Sequence, residues 1–258
     1  MNLLGQGLAL TAAGLNDACT KLRVGAAEIW AVVFTETDYP YAGFWQDKRP
    51  QILYEQHIFH RLTNGRFDAD APDISNARPG NYGASGDNQY NRLRKAMDLD
   101  ETAALQSASW GIGQVLGENF KAAGYASPQD MVARMLACED AQLAAAVGEI
   151  LSSDIDHSLA IHDWPNFARV YNGPNYAASG YDRHLASWFA KFLSGALPDL
   201  RVRAAQIYLM YAGYNPNVID GIWGPRTAAA VSRFQADRGL TVNGDIDDGT
   251  YQKLVGGG

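Results

Sequence analysis

Glu36 is the residue best placed to do chemistry. It sits in Phe34-Thr35-Glu36-Thr37-Asp38-Tyr39-Pro40, directly after Ile29-Trp30-Ala31-Val32-Val33-Phe34, a stretch apolar on every side. The pattern from Val24 predicts a helix over Val24–Thr37. Pro40 cannot continue it, so Glu36 falls in its last turn. The negative end of the helix dipole and the aromatic neighbours both disfavour a carboxylate there, which predicts a raised pKa. A carboxylic acid that keeps its proton near neutrality is what general-acid cleavage of a glycosidic bond requires. The plainer alternative is a solvated glutamate at a helix end, since Glu is seldom buried.

Glu55 is the second candidate, at the junction of a strand-like run, Gln51-Ile52-Leu53-Tyr54, and a helical one. A second carboxylate facing the same cleft would activate water or steady developing positive charge. Capping the next helix or pairing with Arg61 are equally open alternatives. His57 and His60 follow, but no helix-borne His-Glu-x-x-His is present and the other histidines, at 157, 162 and 184, are scattered. No metal and no cofactor are expected, and His57 is placed with the substrate-binding residues. Ser109-Trp110-Gly111-Ile112-Gly113-Gln114 combines small residues, which let a sugar ring approach the backbone, with stacking from Trp110 and hydrogen bonding from Gln114. Tyr171-Asn172-Gly173-Pro174 is a second turn with groups able to bond a polyhydroxyl ligand. The segment Asn64–Asn88 holds four Gly, two Pro, four Asn and four Asp without periodicity. Ordered loops of that length are usually functional, and Asp73 within it is a further acid available to the site.

The elements that must position these groups are mainly helical. Helical patterns cover Thr11–Leu22 and Val24–Thr37, then Tyr90–Met97, Thr102–Trp110, Pro128–Cys138, Asp140–Leu151, Trp164–Tyr171 and Tyr181–Leu193. Composition breaks near Ser194–Asp199. The 258 residues carry 21 basic and 28 acidic side chains, and from Asp199 onward six of each. The whole excess of −7 therefore belongs to the larger part. That excess argues against a protein that coats nucleic acid and against a polybasic membrane anchor. The smaller part contains a weak repeat. Asp220-Gly221 and Asn243-Gly244 each open a turn, with a Thr seven residues after the first member, Thr227 and Thr250, capping a helix behind it. An earlier helix covers Val202–Gly213. Cys19 and Cys138 lie in apolar, Ala-rich stretches and read as buried reduced thiols. Met1–Leu15 is apolar but lacks the basic start of a signal peptide, and no run is long enough to span a membrane.

Taken together, residues from about 11 to 193 resemble the phage and bacterial N-acetylmuramidase family, relatives of goose-type lysozymes and lytic transglycosylases. The residues carrying the likeness are Phe34-Thr35-Glu36-Thr37, then Arg49-Pro50-Gln51-Ile52-Leu53-Tyr54-Glu55-Gln56-His57-Ile58-Phe59, Pro72-Asp73-Ile74-Ser75, Ser107-Ala108-Ser109-Trp110-Gly111 with Gln114, and Tyr171-Asn172-Gly173-Pro174. Thr37 stands where transglycosylase relatives usually have Ser. The tail from about Leu200 to Leu254 resembles the peptidoglycan-binding domain 1 family through Asp220-Gly221-Ile222-Trp223-Gly224-Pro225 with Thr227, Phe234-Gln235 and Gly239-Leu240. Asp245–Asp248 departs from the usual Val/Gly-rich version of its second half.

The resemblance implies a mainly α, lysozyme-like (α+β) catalytic domain over 1–195 and a three-helix wall-binding domain over 199–258. It implies a modular endolysin that cleaves the β-1,4 bond between N-acetylmuramic acid and N-acetylglucosamine. Glu36 would be the acid and Glu55 the second carboxylate. Trp110, Gln114, Tyr171, Asn172, His57 and Asp73 would line the sugar cleft, and Asp220, Trp223 and Thr227 would serve the wall-binding module. The alternatives are a lytic transglycosylase that leaves 1,6-anhydromuramyl ends and a non-catalytic wall-binding particle protein. The expected partner is peptidoglycan, without nucleic acid or stable membrane association. The expected protein is a monomer, made in the host cytoplasm and acting on the wall, in the periplasm, after release.

Overall fold

A computed structural model describes residues 1–37 and 40–256. Thr11 caps α1 (Ala12–Leu22), its side chain accepting from the Gly14 amide. α2 (Ala26–Glu36) buries every residue from Ile29 to Phe34. Thr37 closes it by directing both its amide and its hydroxyl to the Val33 carbonyl, the hydroxyl at 2.6 Å. β1 (Ile52–Tyr54) and α3 (Gln56–Leu62) follow, then α4 (Asp87–Gln106). The break expected between two helices appears inside α4 as a kink at Asp100, whose carboxylate restarts the helix by accepting from the Ala103 amide.

The helix expected to run to Trp110 ends at Gln106. Ala108–Trp110 is instead a strand, β2, flanked antiparallel by β1 and by β3 (Val115–Leu116). Ser109 pairs with Leu53 and Leu116, and Trp110 with Ile52 and Val115. Because successive strand residues face opposite ways, one face carries Leu53, Ser109 and Leu116 and the other carries the core residues Ile52, Tyr54, Ala108, Trp110 and Val115. The chain continues through α5 (Pro128–Met135), α6 (Glu139–Ser152), α7 (Asp156–Ala160), α8 (Trp164–Tyr171), α9 (Tyr176–Ser179) and α10 (Tyr181–Ser194).

These elements enclose two apolar cores. One lies under the sheet, α3, α4 and α5, and includes Tyr54, Phe59, Ile74, Tyr90, Trp110 and Met131. The other surrounds α2 with α1, α6, α8 and α10, and includes Trp30, Phe34, Leu143, Phe167, Leu185 and Phe192. The irregular segment 64–86 is anchored to the first core. Phe67 stacks on Phe59 and Ile74 is fully buried. Asp68 accepts from the Ser75 hydroxyl and contacts His60 Nδ1 at 2.8 Å. Cys19 and Cys138 are unbonded and only half-buried, so the expectation of full burial fails for both.

The tail folds as α11 (Leu200–Tyr211), α12 (Pro225–Asp237) and α13 (Asp248–Val255) around Leu209, Val231, Phe234 and Leu254. Its repeat has a physical basis in two buried glutamines. Gln206 Nε2 donates to Asp220, the Ile222 carbonyl and Thr227, while its oxygen accepts from the Gly221 amide. Gln235 does the same with Asn243, the Asp245 carbonyl, Thr250 and the Gly244 amide. Each Gln clamps one turn to the helix behind it.

This module is docked on the larger part through a buried ion pair. Arg203 Nη2 donates to Glu139 Oε1 at 2.9 Å, Nη1 bonds Glu139 Oε2, and both residues are almost wholly buried. Glu139 also accepts from the amides of Leu10 and Gly43, at 2.9 and 2.7 Å. Burial by itself raises its pKa, but Arg203 and the two amides overcome that and hold it below the ordinary carboxylate range. Ala9, Ala42, Ala204, Ile207 and Ile219 pack around the pair, and Tyr211 donates to the Gly7 carbonyl at 2.9 Å. Arg203→Ala leaves Glu139 charged and buried without its partner. It should lower the urea-unfolding free energy by about 3–5 kcal/mol, because a broken buried pair costs more than a lost surface one.

Candidate active site

A cleft of about 740 Å³ opens between the two cores. The second core supplies Glu36 from the end of α2, Glu149 from α6, and Tyr171 and Asn172 from the end of α8. The first supplies the outward face of the sheet, with Leu53, Ser109 and Leu116, together with Glu55, His57 and the loop residues Tyr82 and Gly83. Gln114 and Asn119 lie on the connection between the cores. The structure thus gathers Glu36, Glu55, His57, Gln114, Tyr171 and Asn172 at one cavity.

Glu36 is half-buried on the cleft, its carboxyl held by the Tyr181 hydroxyl. Burial raises its pKa to about 8, against the pull of a hydrogen bond from the Tyr181 hydroxyl, and the charge of Glu149 adds to the rise. Tyr181 starts α10, the helix that covers α2 most extensively. Glu149 is itself held at about 7 by burial, opposed by Asn119, whose Nδ2 donates at 2.6 Å. Two acids with raised pKa values, Glu36 at about 8 and Glu149 at about 7, therefore share the cleft floor.

Glu55 stands on the other core. Burial raises its pKa, while His57, Tyr82 and Arg92 oppose the rise. His57 Nδ1 lies 3.2 Å from Glu55 Oε2, yet neither atom completes an aligned hydrogen bond. Six buried side-chain polar atoms among the described residues have no partner, and four of them, on Trp45, Gln51, Glu55 and His57, belong to residues lining this cleft. Buried polar groups are normally satisfied. Their concentration here marks the cavity as one whose donors and acceptors await a polar ligand.

Two residues expected at the cleft, Trp110 and Asp73, lie elsewhere. Trp110 is fully buried and donates from Nε1 to the Leu105 carbonyl at 3.1 Å. Strand alternation turns Ser109 toward the cleft and Trp110 into the core. Asp73 lines a separate basin and pairs with Lys95 at 3.0 Å. Thr227 is buried against Gln206, and the Asp220 carboxylate accepts from Gln206 and the Ile222 amide at 3.0 and 2.9 Å, so both hold the module together. Trp223 remains 41% exposed beside Ile222 at the same level. The glycines at 111 and 113 also have a different purpose from the one expected. Gly111 has φ +68°, and a Cβ there would meet Gln142 Cδ at 2.4 Å, while one on Gly113 would meet Ala146 Cβ at 2.5 Å. They admit helix α6, not a sugar ring.

Sequence reasoning missed Glu149, Tyr181, Tyr82 and Asn119. Glu149 left one trace, an acid on a helix otherwise rich in buried Ala, Val and Ile. Tyr181 is an ordinary helix-start aromatic in sequence and acquires meaning only from its contact.

The raised pKa of Glu36 has a consequence for stability. The folded state holds its proton up to about pH 8, whereas the unfolded chain releases it near 4.5. Its contribution is fully present below pH 4.5 and is lost as the pH rises through 8. Glu36→Gln should match the wild type near pH 4 and exceed it by about 2 kcal/mol or more at pH 8.5, at 1.36 kcal/mol per pKa unit with allowance for cleft solvation. Urea titrations at the two pH values measure this difference.

Comparison with known proteins agrees with this geometry. Residues 25–193 match the N-acetylmuramidase family, and residues 199–254 match a peptidoglycan binding domain. The crystal structure of Burkholderia AP3 phage endolysin is similar at TM-score 0.64 and 35% identity, over 72% of this chain and 71% of that one. No curated protein matches the chain. With a lysozyme-like cleft, an acid that keeps its proton, and a family match over most of its length, the chain belongs to the N-acetylmuramidase family.

Proposed function

We propose that this protein is an endolysin that hydrolyses the β-1,4 bond between N-acetylmuramic acid and N-acetylglucosamine. The observation that carries this reading is Glu36, a half-buried carboxyl held by Tyr181 at the floor of an open polar cleft. Glu36 protonates the leaving glycosidic oxygen. The opposite carboxylate, Glu55, whose Oε2 has no hydrogen-bond partner, orients water or steadies the developing oxocarbenium charge. Burial raises the Glu55 pKa, and His57 and Tyr82 oppose that rise. Glu149 is a positioning residue. When ionised, its charge adds to the rise that burial gives the Glu36 pKa, and Asn119 fixes its orientation. Gln114, Tyr171 and Asn172 bind the sugars.

The catalytic domain is proposed to span 1–195 and the wall-binding domain 199–258, with exposed Ile222 and Trp223 meeting the wall. Docking through Arg203 makes the module a fixed extension of the enzyme, so wall binding both concentrates and orients it. We further propose that the protein acts as a monomer and is delivered to the wall from the cytoplasm. The acid excess, which disfavours approach to an anionic membrane, supports that route. No helix among the described residues is long and apolar enough to cross a membrane.

Glu36→Gln should lower turnover of purified peptidoglycan by about 10²–10⁴-fold with little change in KM, the range for loss of a general acid. Mass spectrometry of the digest should show reducing muramic acid ends. Anhydromuramyl ends would overturn hydrolysis in favour of intramolecular attack. In a pH series, kcat/KM should fall above about pH 8 as free-enzyme Glu36 ionises. An alkaline limb that stays in place when Tyr181 is replaced by Phe would remove Glu36 from that role, since losing this hydrogen bond to the carboxylate moves the limb upward.

A further inference from the structure

A second basin of about 650 Å³ adjoins the cleft, and Tyr82 and Gly83 line both. Three cationic side chains line it, Arg92, Arg94 and Lys95, against the single carboxylate of Asp73. That local excess of positive charge lies in the part of the chain that carries the whole acid excess. Lys95 and Asp73 pair with each other at 3.0 Å. Among the described residues, neither Arg92 nor Arg94 forms an ion pair. Arg92 is buried and donates to the carbonyls of Tyr82 and Asp73, at 3.1 and 3.2 Å, and to Gln56 Oε1 at 3.2 Å. It thereby braces Tyr82, the wall between the two basins. Arg94 is exposed at the rim.

A peptidoglycan strand seated in the cleft would bring its appended peptides close to this wall. Those peptides carry free carboxylates. We propose that the Arg92–Arg94–Lys95 basin is a subsite for the carboxylates of the stem peptide, so that the enzyme selects peptide-bearing over peptide-free or charge-neutralised glycan. The proposal rests on the reading of the cleft as the glycan site. Guanidinium groups suit the task because they pair with carboxylates in fork geometry. The basin leaves room for a peptide branch that the sugar cleft itself need not admit.

The test compares the full-length wild type with the double variant Arg94→Gln, Lys95→Gln, both positions being exposed, on three soluble substrates. These are glycan strands with intact peptides, the same strands amidated with carbodiimide and ammonia, and strands stripped by an amidase. The wild type should cleave the intact strands with a KM about fivefold lower than the amidated ones, the scale of exposed ion pairs, and 0.5 M salt should shrink the gap. The double variant should treat the two alike, and the two proteins should be equal on stripped strands. A wild type indifferent to amidation, or a variant that keeps the wild-type preference, overturns the proposal. A difference confined to stripped strands also overturns it, by transferring the basin to the lactyl carboxylate exposed there. Glu36→Gln run alongside separates the two readings. Its inertness on all three substrates upholds the catalytic site whatever the basin does, and its activity would instead sink the cleft assignment.

Discussion

A helix with no polar face is stable in water only when protein covers it on every side. α2 meets that condition under α10, α1 and the turn Gly111–Gly113, and most of the enzyme follows from it. The cover runs through Phe34 and thins at the last turn, so Glu36 stands half-buried at the edge of the packing that stabilises the helix. The same α10 that closes over Phe34 contributes Tyr181, which hydrogen bonds Glu36. Reactivity and stability are opposed at this point. Packing that strengthens the core also holds an acid in an environment that resists its ionisation, a tension common to sites where function sets the local chemistry.

The second constraint is that the cleft lies between two cores instead of within one. Each carboxylate is then held by its own rigid lobe, Glu36 by α2 and Glu55 by the end of β1. Their separation is set by how the lobes meet at the short sheet and at the Gly111–Gly113 turn. The sheet contributes little area, but its alternation decides which side chains face the cleft. The glycines in the turn let α6 approach and carry Glu149 to the cleft floor.

Glu139 links this enzyme to its tail. One buried carboxylate at the first turn of α6 joins the N-terminal segment through the Leu10 amide, the loop before β1 through the Gly43 amide, and α11 through Arg203. An acid in the first turn of a helix also benefits from the helix dipole. Two parts that read in sequence as separate modules thus share one buried electrostatic node. That node constrains where the wall-binding surface stands relative to the cleft.

Much of this was legible from local signals. α2 and its end at Glu36 follow from an all-apolar run, a threonine and a proline. The repeat in the tail shows as two Asx-Gly turns with a threonine seven positions on, and the cationic trio at 92, 94 and 95 is visible as composition. The failures share one cause. Trp110 and Asp73 are suggested for the cleft by residue type, whereas pairing register and partners across the chain determine which way a side chain faces. Trp110 is one residue out of phase with the cleft face of β2, and Asp73 is held by Lys95 beyond the Tyr82 wall. Glu149, Tyr181 and Arg203 act through contacts with residues distant in sequence, and no local pattern encodes those contacts. The sequence by itself determined the helix that carries the acid, the family chemistry and the two-part plan. Only the tertiary structure decided that Glu36 is dry enough to hold its proton, which carboxylates share its cleft, and that the tail is docked, because desolvation and ion pairing depend on what surrounds a group in space.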